Sequence, residues 1–203
     1  MPDLYIITGS NGAGKSSTGY DYLPEHLKKS VFDGDKLFME KKNEFWRSGI
    51  RSPKICKLKA YDVVKESFNY LVEDALANRS DFAYEGHFTN HETWDIPKRF
   101  KEAGYNLIMI FFGLTDTDAS QLRVLGRVNE GGHYVDPLTL ESNFYGNLEK
   151  LDIYYKMFNY IRIFDTSFTE HIELAQINDG VPDFLDVDLP AWFTDNLKNI
   201  INS

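Results

Sequence analysis

The stretch GSNGAGKSS, residues 9–17, constrains the fold more than any other part of this 203-residue chain. It follows the apolar run LYII and leads into a predicted helix that begins at Lys15. Its spacing of glycine, lysine and serine matches G-x-x-x-x-G-K-[ST], a loop that joins a buried strand to a helix and holds phosphate with backbone N–H groups. The sequence therefore predicts an α/β fold of the P-loop NTPase type.

Every residue of this loop is predicted to bind nucleotide. Glycines let the backbone turn its N–H groups toward phosphate oxygens, and the positive end of the following helix favours the same negative charge. Lys15 is expected to reach the β- and γ-phosphates of ATP, and Ser16 to place its hydroxyl on Mg²⁺. The predicted nucleotide-binding residues are Gly9, Ser10, Asn11, Gly12, Ala13, Gly14, Lys15, Ser16 and Ser17. The loop predicts nucleotide binding without defining the reaction.

Composition favours one ordered domain over residues 1–203. The chain is 42% hydrophobic and 15% aromatic, and it contains no low-complexity segment. Its single cysteine, Cys56, excludes an intrachain disulfide and indicates no structural metal site. We therefore expect a domain that folds without covalent or metal crosslinks.

Charge and hydropathy limit the partners that we expect. The formal net charge of −9 argues against nonspecific nucleic-acid binding, which needs many cations, whereas a small phosphorylated ligand needs only a few. The apolar part of the first predicted strand begins at Leu4, which leaves no room for a signal sequence, and no apolar run is long enough for a bilayer. These features predict a cytoplasmic protein with a small-molecule substrate and neither nucleic-acid nor membrane partners.

Predicted strands alternate with predicted helices along most of the chain. This alternation is typical of a mostly parallel sheet covered on both faces, a three-layer sandwich with ligands at the carboxyl ends of the strands. Residues 115–160 are predicted to form a helical insert and lid, and the residues after 167 irregular edge structure and a short final helix. The five predicted strands span 3–8, 30–35, 81–86, 105–114 and 160–167.

Acidic residues end two of the predicted strands: Asp33 and Asp35 in VFDGD, and Glu85 in FAYE. In a kinase, a carboxylate near the γ-phosphate accepts or orients the proton of the attacking hydroxyl. The DGD sequence is equally typical of a turn or a helix cap, so both interpretations stay open here. Motor ATPases usually have an acid at the end of a strong apolar strand. The strongest predicted strand here ends in FFGL without one, which disfavours a motor ATPase, although the acid of FAYE could take its place.

Two arginines, Arg123 and Arg127, lie four residues apart on one face of a predicted helix. Like charges at this spacing repel mildly, and a phosphate ligand would offset the repulsion. A solvated helix face explains the same pattern, so the spacing alone leaves their role open.

Five motifs in this order resemble the zeta-toxin-like P-loop kinases: GSNGAGKSS, VFDGDKLF, FAYEGHFT, RVLGRVNEGGHYV and YIRIFDTS. The resemblance runs from the first to the fifth predicted strand. It implies transfer of phosphate from ATP, with Mg²⁺, to a hydroxyl of a sugar nucleotide such as UDP-N-acetylglucosamine. It also implies that an antitoxin protein is a possible partner.

The resemblance assigns roles to the acidic residues and to His87. Asp35 matches the general base, and Asp33 falls where the family often has Asn. Glu85 matches an acid that contacts the sugar nucleotide, and His87 replaces a small hydroxyl residue. Asp33, Glu85 and His87 are therefore predicted to bind substrate.

The resemblance also assigns roles in the predicted lid. Arg127 is similar to an arginine that stabilises the transferring phosphoryl charge, Arg123 is expected to assist at the substrate, and His133 to fix the lid turn. The sequence departs from the family at Asn143, where an arginine is common. Residues that could compensate for its absence are Tyr134, Asn147 and Lys150.

Three hypotheses follow from the sequence. The first is an ATP-dependent small-molecule kinase with Lys15, Asp35 and Arg127 as catalytic residues. The second, motivated by Asn143 and His87, is a nucleotide-binding module with weak or no catalysis. The third is a P-loop kinase for an unrelated acceptor.

Overall fold

A seven-stranded sheet forms the centre of the fold. The structure is a computed structural model that describes residues 1–129 and 134–203. The strand order is β2-β3-β1-β4-β5-β6-β7. Strands β1 to β5 are parallel to one another, β6 pairs antiparallel with β5, and β7 pairs antiparallel with β6. The strands are β1 Asp3–Gly9, β2 Phe32–Asp33, β3 Phe82–Glu85, β4 Asn106–Gly113, β5 Tyr160–Asp165, β6 Ile172–Asn178 and β7 Val181–Leu185.

Both faces of the central strands are covered, as the predicted three-layer sandwich requires. Successive strand residues point to opposite faces, yet Ile6 and Ile7 of β1 are both fully buried, as are Phe111 and Phe112 of β4. The helices are α1 Lys15–Thr18, α2 Gly34–Arg47, α3 Pro53–Asn78, α4 Asp95–Glu102, α5 Thr117–Asn129, α6 Pro137–Tyr154, α7 Ala191–Asn196 and α8 Lys198–Ile201.

Several boundaries agree with the sequence-based predictions. The helix after the glycine-rich loop begins at Lys15, as predicted. Helix α3 ends at Asn78, and Arg79 after it adopts the left-handed conformation that closes many helices. The strongest predicted strand is β4. Helix α6 buries Phe144, Leu148 and Leu151 in the main core, and whether residues 115–160 act as a lid stays a prediction.

The prediction of five strands is wrong, because β6 and β7 form an antiparallel hairpin where irregular structure was expected. Its two-residue turn is Asp179-Gly180, with φ of 46° and 78°. Asp-Gly is a strong signal for such a turn, since both positions need positive φ. The hairpin signal was therefore present in the sequence.

The prediction of a strand over residues 30–35 is also too long. Strand β2 contains only Phe32 and Asp33, and Gly34 begins α2, a helix that the sequence analysis did not predict. The Asp33 carboxylate accepts a hydrogen bond from the Lys36 backbone N–H and so caps this helix. The helix-cap interpretation of DGD is therefore correct for Asp33.

No helix in the described ranges is long and apolar enough to cross a membrane.

Candidate active site

The glycine-rich loop between β1 and α1 has the backbone conformation that its glycines allow. Gly9, Gly12 and Gly14 have φ of 130°, 75° and 84°. A Cβ on Gly9 would lie 2.0 Å from the Phe112 carbonyl oxygen, so β4 approaches the loop too closely for any side chain there. All nine predicted nucleotide-binding residues lie on this one turn and the start of α1.

Lys15 folds back into the loop. Its Nζ donates hydrogen bonds to the backbone oxygens of Gly9, at 3.1 Å, and Ser10, at 2.9 Å, and the residue is only 7% exposed. Burial lowers the pKa of this ammonium, and the negative charges of Glu85 and Asp35 oppose that shift. The cation and these carboxylates therefore act on one another within one site.

Glu85 ends β3 directly beside the loop. Its Oε2 accepts a hydrogen bond of 2.8 Å from the Ser16 hydroxyl, and its Cα pairs in register with Ile7 on one side and Asp33 on the other. Burial raises the pKa of the Glu85 carboxyl, while the charge of Lys15 lowers it. The fold thus brings FAYE to the helix that begins with the P-loop lysine.

Hard oxygen donors at this position suit Mg²⁺. The Ser16 hydroxyl and the Glu85 carboxylate are the type of ligand that Mg²⁺ prefers, and Mg²⁺ usually takes one or two protein ligands together with substrate phosphates. The residues present therefore fit a cation that binds together with a nucleotide.

Tyr20 is a site residue that the sequence analysis missed. Its hydroxyl lies 3.3 Å from Glu85 Oε2 and 3.5 Å from Asp33 Oδ2, so it can donate to either carboxylate. Burial and the two carboxylates raise the pKa of this phenol. The 3₁₀ turn Gly19–Tyr22 after α1 positions it, and no motif in the sequence indicated that position.

Asp35, the predicted base, is the second residue of α2 and is exposed. It lines a cavity of about 230 Å³ together with Lys15, Asp33 and Glu85. The predicted acids and the P-loop lysine thus share one cleft, although Asp33 ends a strand and Asp35 lies in a helix.

His87 is bound between two amides at the same end of the sheet. Its Nε2 lies 3.3 Å from Asn11 Nδ2 and its Nδ1 lies 3.0 Å from Asn147 Nδ2. Burial, with the nearby charges of Lys15 and Arg127, holds the pKa of His87 well below its usual range. The imidazole is therefore neutral at physiological pH, so one ring nitrogen accepts a hydrogen bond and the other carries the proton.

Asn147 of α6 connects this histidine to the P-loop. It is 1% exposed, and its Oδ1 accepts from the Phe88 N–H at 2.6 Å and from the Thr8 hydroxyl at 3.3 Å. Its Nδ2 also lies within hydrogen-bond distance of the backbone oxygens of Gly9 and Asn143. One buried amide thus ties α6, the end of β1 and the loop after β3 together.

Asn143 occupies the family's arginine position and makes a neutral contact with the P-loop. Its Nδ2 donates to Asn11 Oδ1 at 2.9 Å. Among the residues considered as compensation, Lys150 pairs with Glu149 at 2.7 Å, and Tyr134 is exposed at the rim of a cavity that Asn143 also lines. An amide therefore contacts the loop where the resemblance led us to expect a cation.

The two arginines of α5 have different surroundings. Arg123 donates to the Gly12 oxygen at 3.4 Å and to the Ser167 oxygen at 2.9 Å, so it binds the P-loop to the segment after β5. Arg127 is near enough for its charge to lower the pKa of Lys15, after the larger effect of burial. His133 lies outside the described residues.

No family model and no curated protein matches the sequence. Solved structures do match it. A chain of the AvrRxo1-ORF1:AvrRxo1-ORF2 complex with sulphate ions superposes with a TM-score of 0.73 and 16% identity, over 97% of this chain and 64% of that one. The chain shares its fold with AvrRxo1 and PezAT. The AvrRxo1 complex with ATP gives a TM-score of 0.70 at the same identity and coverage.

The PezAT chromosomal toxin–antitoxin system of Streptococcus pneumoniae gives a TM-score of 0.57 at 18% identity, over 98% of this chain and 78% of that one. A chain of a toxin–antitoxin system thus has this fold, in agreement with the resemblance based on motifs. This chain spans 64% of the AvrRxo1 chain that it matches, and at these identities the likeness concerns the fold.

Proposed function

We propose that this protein is an ATP-dependent kinase that transfers the γ-phosphoryl group to a hydroxyl of a small molecule. The observation that carries the proposal is the single cleft lined by Lys15, Asp35 and Glu85. A phosphate-binding lysine and a carboxylate able to accept a hydroxyl proton are the two groups that such a transfer needs at one place.

In this proposal Asp35 accepts the proton of the acceptor hydroxyl as the oxygen attacks the γ-phosphorus. A new O–P bond forms while the bond between the γ-phosphorus and the β,γ-bridging oxygen breaks, and ADP leaves with that electron pair. Asp35 suits this role because it is exposed to the cleft and makes no cap, whereas Asp33 is engaged at the start of α2.

Cations around the phosphates stabilise the charge that spreads over the transferring group. Lys15 would exchange the carbonyls of Gly9 and Ser10 for phosphate oxygens, and Arg127 would act from α5. Ser16, with Glu85 behind it, would hold Mg²⁺, which neutralises phosphate charge when it is bound.

Two classes of acceptor are compatible with this chemistry. The motif resemblance favours a sugar nucleotide such as UDP-N-acetylglucosamine, with Asp33, Glu85, His87 and Arg123 as substrate-binding residues. An unrelated acceptor is favoured by Asn143, because a neutral amide replaces the family's arginine at the P-loop. A nucleotide-binding module without catalysis is the alternative outside the enzyme class.

The partner prediction is a separate proposal. The structural likeness to the PezAT toxin–antitoxin system supports an antitoxin as a partner of this protein. Co-purification of the protein with the product of a neighbouring gene tests this, and failure of the two proteins to co-purify would contradict the partner.

The decisive experiment incubates the purified protein with ATP and Mg²⁺, with and without UDP-N-acetylglucosamine, and identifies products by mass spectrometry. We expect ADP and a phosphorylated acceptor that are absent with Lys15→Ala and strongly reduced with Asp35→Asn. ATP binding without product for every acceptor tried would contradict the kinase proposal. Full activity in a folded Asp35→Asn variant would contradict the base assignment.

A further inference from the structure

An aromatic cavity of about 440 Å³ lies beside the candidate active site. Helix α3 forms one wall, and β3 with the loop after it forms the other. Its volume is within the range of small-molecule sites, which are typically apolar with a few polar groups. The residues that shape it are Phe32, Val64, Phe68, Tyr84, Phe88 and Ile96.

The walls of this aromatic cavity consist mostly of rings. Phe68 stands edge-on to Tyr84 with ring centres 5.2 Å apart, Phe32 lies 5.1 Å from Phe68, and Phe88 lies 6.0 Å from Tyr84. Such rings offer both faces and edges to another aromatic group, which favours offset or edge-to-face contact. Planar hydrocarbon is therefore the chemistry that this cavity complements.

The aromatic cavity adjoins the cleft that holds the acids. Five residues line both spaces: Tyr61, Val64, Glu85, Gly86 and His87. Because the two spaces share this boundary, one molecule can place a ring in the aromatic cavity and a hydroxyl in the cleft beside Asp35.

Charge at this boundary disfavours a phosphorylated acceptor. Among the described residues that line the cleft, Asp33, Asp35 and Glu85 face one cation, Lys15, whose ammonium is bound to P-loop carbonyls, and the charge of Arg127 also reaches His87 at the boundary. In the aromatic cavity the only lining cation among the described residues is Lys65, and it is exposed. A diphosphate here would face carboxylates, whereas an uncharged group would not be repelled.

We infer that the phosphoryl acceptor is an uncharged alcohol whose hydroxyl is attached, directly or through a short linker, to an aromatic ring that binds in the aromatic cavity. The inference rests on the proposed kinase function. The ring fixes the position of the hydroxyl, which loses its proton to Asp35 as its oxygen forms a bond to the γ-phosphorus and ADP leaves. The product is a phosphate monoester. The acids of the cleft repel its negative charge, which weakens its binding.

Binding and turnover are measured separately to test the inference. Saturation-transfer NMR with 2-phenylethanol as the probe reports binding without any need for catalysis. The variant Val64→Trp fills the boundary between cavity and cleft from the half-buried face of α3. Leu58→Trp adds the same ring on an exposed part of α3 and is the matched control. We expect Val64→Trp to weaken binding of the probe by about tenfold or more and the control to leave it within about twofold.

Turnover is measured as ADP release and as the mass of the product, with 2-phenylethanol, its para-hydroxy analogue and UDP-N-acetylglucosamine as acceptors. We expect a phosphate monoester of a ring alcohol that is lost in Val64→Trp and retained in Leu58→Trp. UDP-N-acetylglucosamine as the one productive acceptor would overturn the inference and leave the kinase proposal intact. No binding of the ring probe, or equal binding in wild type and Val64→Trp, would overturn it as well.

A third outcome separates the two proposals in the other direction. Binding of 2-phenylethanol that is lost in Val64→Trp, with no ADP formed from any acceptor, would contradict the kinase function. It would also overturn the acceptor role of the cavity while leaving the cavity as a ring-binding site.

Discussion

At the scale of single residues, the buried ring of His87 couples the stability of the fold to pH. Its neighbours Asn11 and Asn147 are uncharged amides, so these two contacts supply no negative charge to offset the cost of burying a protonated ring. The pKa of His87 in the folded chain is therefore well below the ordinary 6.5, which it regains on unfolding. Between these two values the unfolded chain binds a proton that the folded chain does not.

We therefore predict that the contribution of His87 to stability is complete above about pH 6.5 and is lost as the pH falls below it, by up to about 1.4 kcal/mol per pH unit. His87→Gln should remove this part of the slope. The measurement is the free energy of unfolding in urea for both proteins from about pH 5 to about pH 8. Parallel curves over this range would contradict a buried, neutral histidine.

Tyr84 has a buried hydroxyl that lowers the stability of the folded chain. It is 5% exposed, and its hydroxyl has no hydrogen-bond partner within the two described ranges. Since an unsatisfied buried hydroxyl costs about 1–3 kcal/mol, Tyr84→Phe is expected to raise the free energy of unfolding by about 1 kcal/mol.

A matched control is available at Tyr105, whose hydroxyl donates to the Ala75 oxygen at 2.6 Å. Tyr105→Phe should lower the free energy of unfolding by about 1 kcal/mol, because it leaves that buried oxygen with one partner fewer. Equal effects of the two substitutions in chemical denaturation would show that the Tyr84 hydroxyl is satisfied in solution.

At the scale of elements, the hairpin of β6 and β7 pairs with the parallel sheet along β5, and a charged side-chain contact joins the two strands there. Arg162 of β5 binds Glu173 of β6 with two hydrogen bonds, at 2.6 and 2.9 Å. The guanidinium also lies over the rings of Tyr22 and Phe164, with centres 5.0 and 4.8 Å away. A planar, forked cation is required to make both contacts at once.

Arg162→Lys keeps the charge but loses the fork and the stacking, and we expect it to lower the free energy of unfolding by about 1 kcal/mol. Arg99→Lys is the control, because its partner Glu73 is an exposed residue on another helix, where such pairs contribute little. A loss at position 162 no larger than at position 99 would contradict the anchoring role of Arg162.

At the scale of the whole molecule, ATP with Mg²⁺ should act as a ligand that stabilises the folded chain. Binding at a concentration of about a hundred times the dissociation constant contributes about 2.7 kcal/mol to folding. The thermal midpoint should therefore rise with ATP concentration, and Lys15→Ala should abolish the rise because it removes the phosphate-binding cation. A rise of equal size in the variant would contradict nucleotide binding at the P-loop.

Much of the fold was predictable from short-range patterns. The glycine spacing fixed the loop between β1 and α1, the apolar runs identified β1, β3 and β4, and the acids at Asp33 and Glu85 lie at strand ends as expected. The hairpin was missed although Asp179-Gly180 signals its turn. The predicted five-strand sheet treated Asp33 and Asp35 as members of one strand, because no local pattern distinguishes a strand end from a helix cap in DGD.

The sequence by itself determined the features whose geometry is set within a few residues, which are the positive-φ glycines of the P-loop and the alternation of strands and helices. Only the tertiary structure decided the contacts between distant segments, such as Asn147 with Thr8, 139 residues apart, or Tyr20 beside Glu85. The same is true of the aromatic cavity between α3 and β3. The physical reason is that the conformational preferences of residues depend on neighbours within a few positions along the chain. These contacts instead depend on the strand order β2-β3-β1, which the packing of the whole sheet selects.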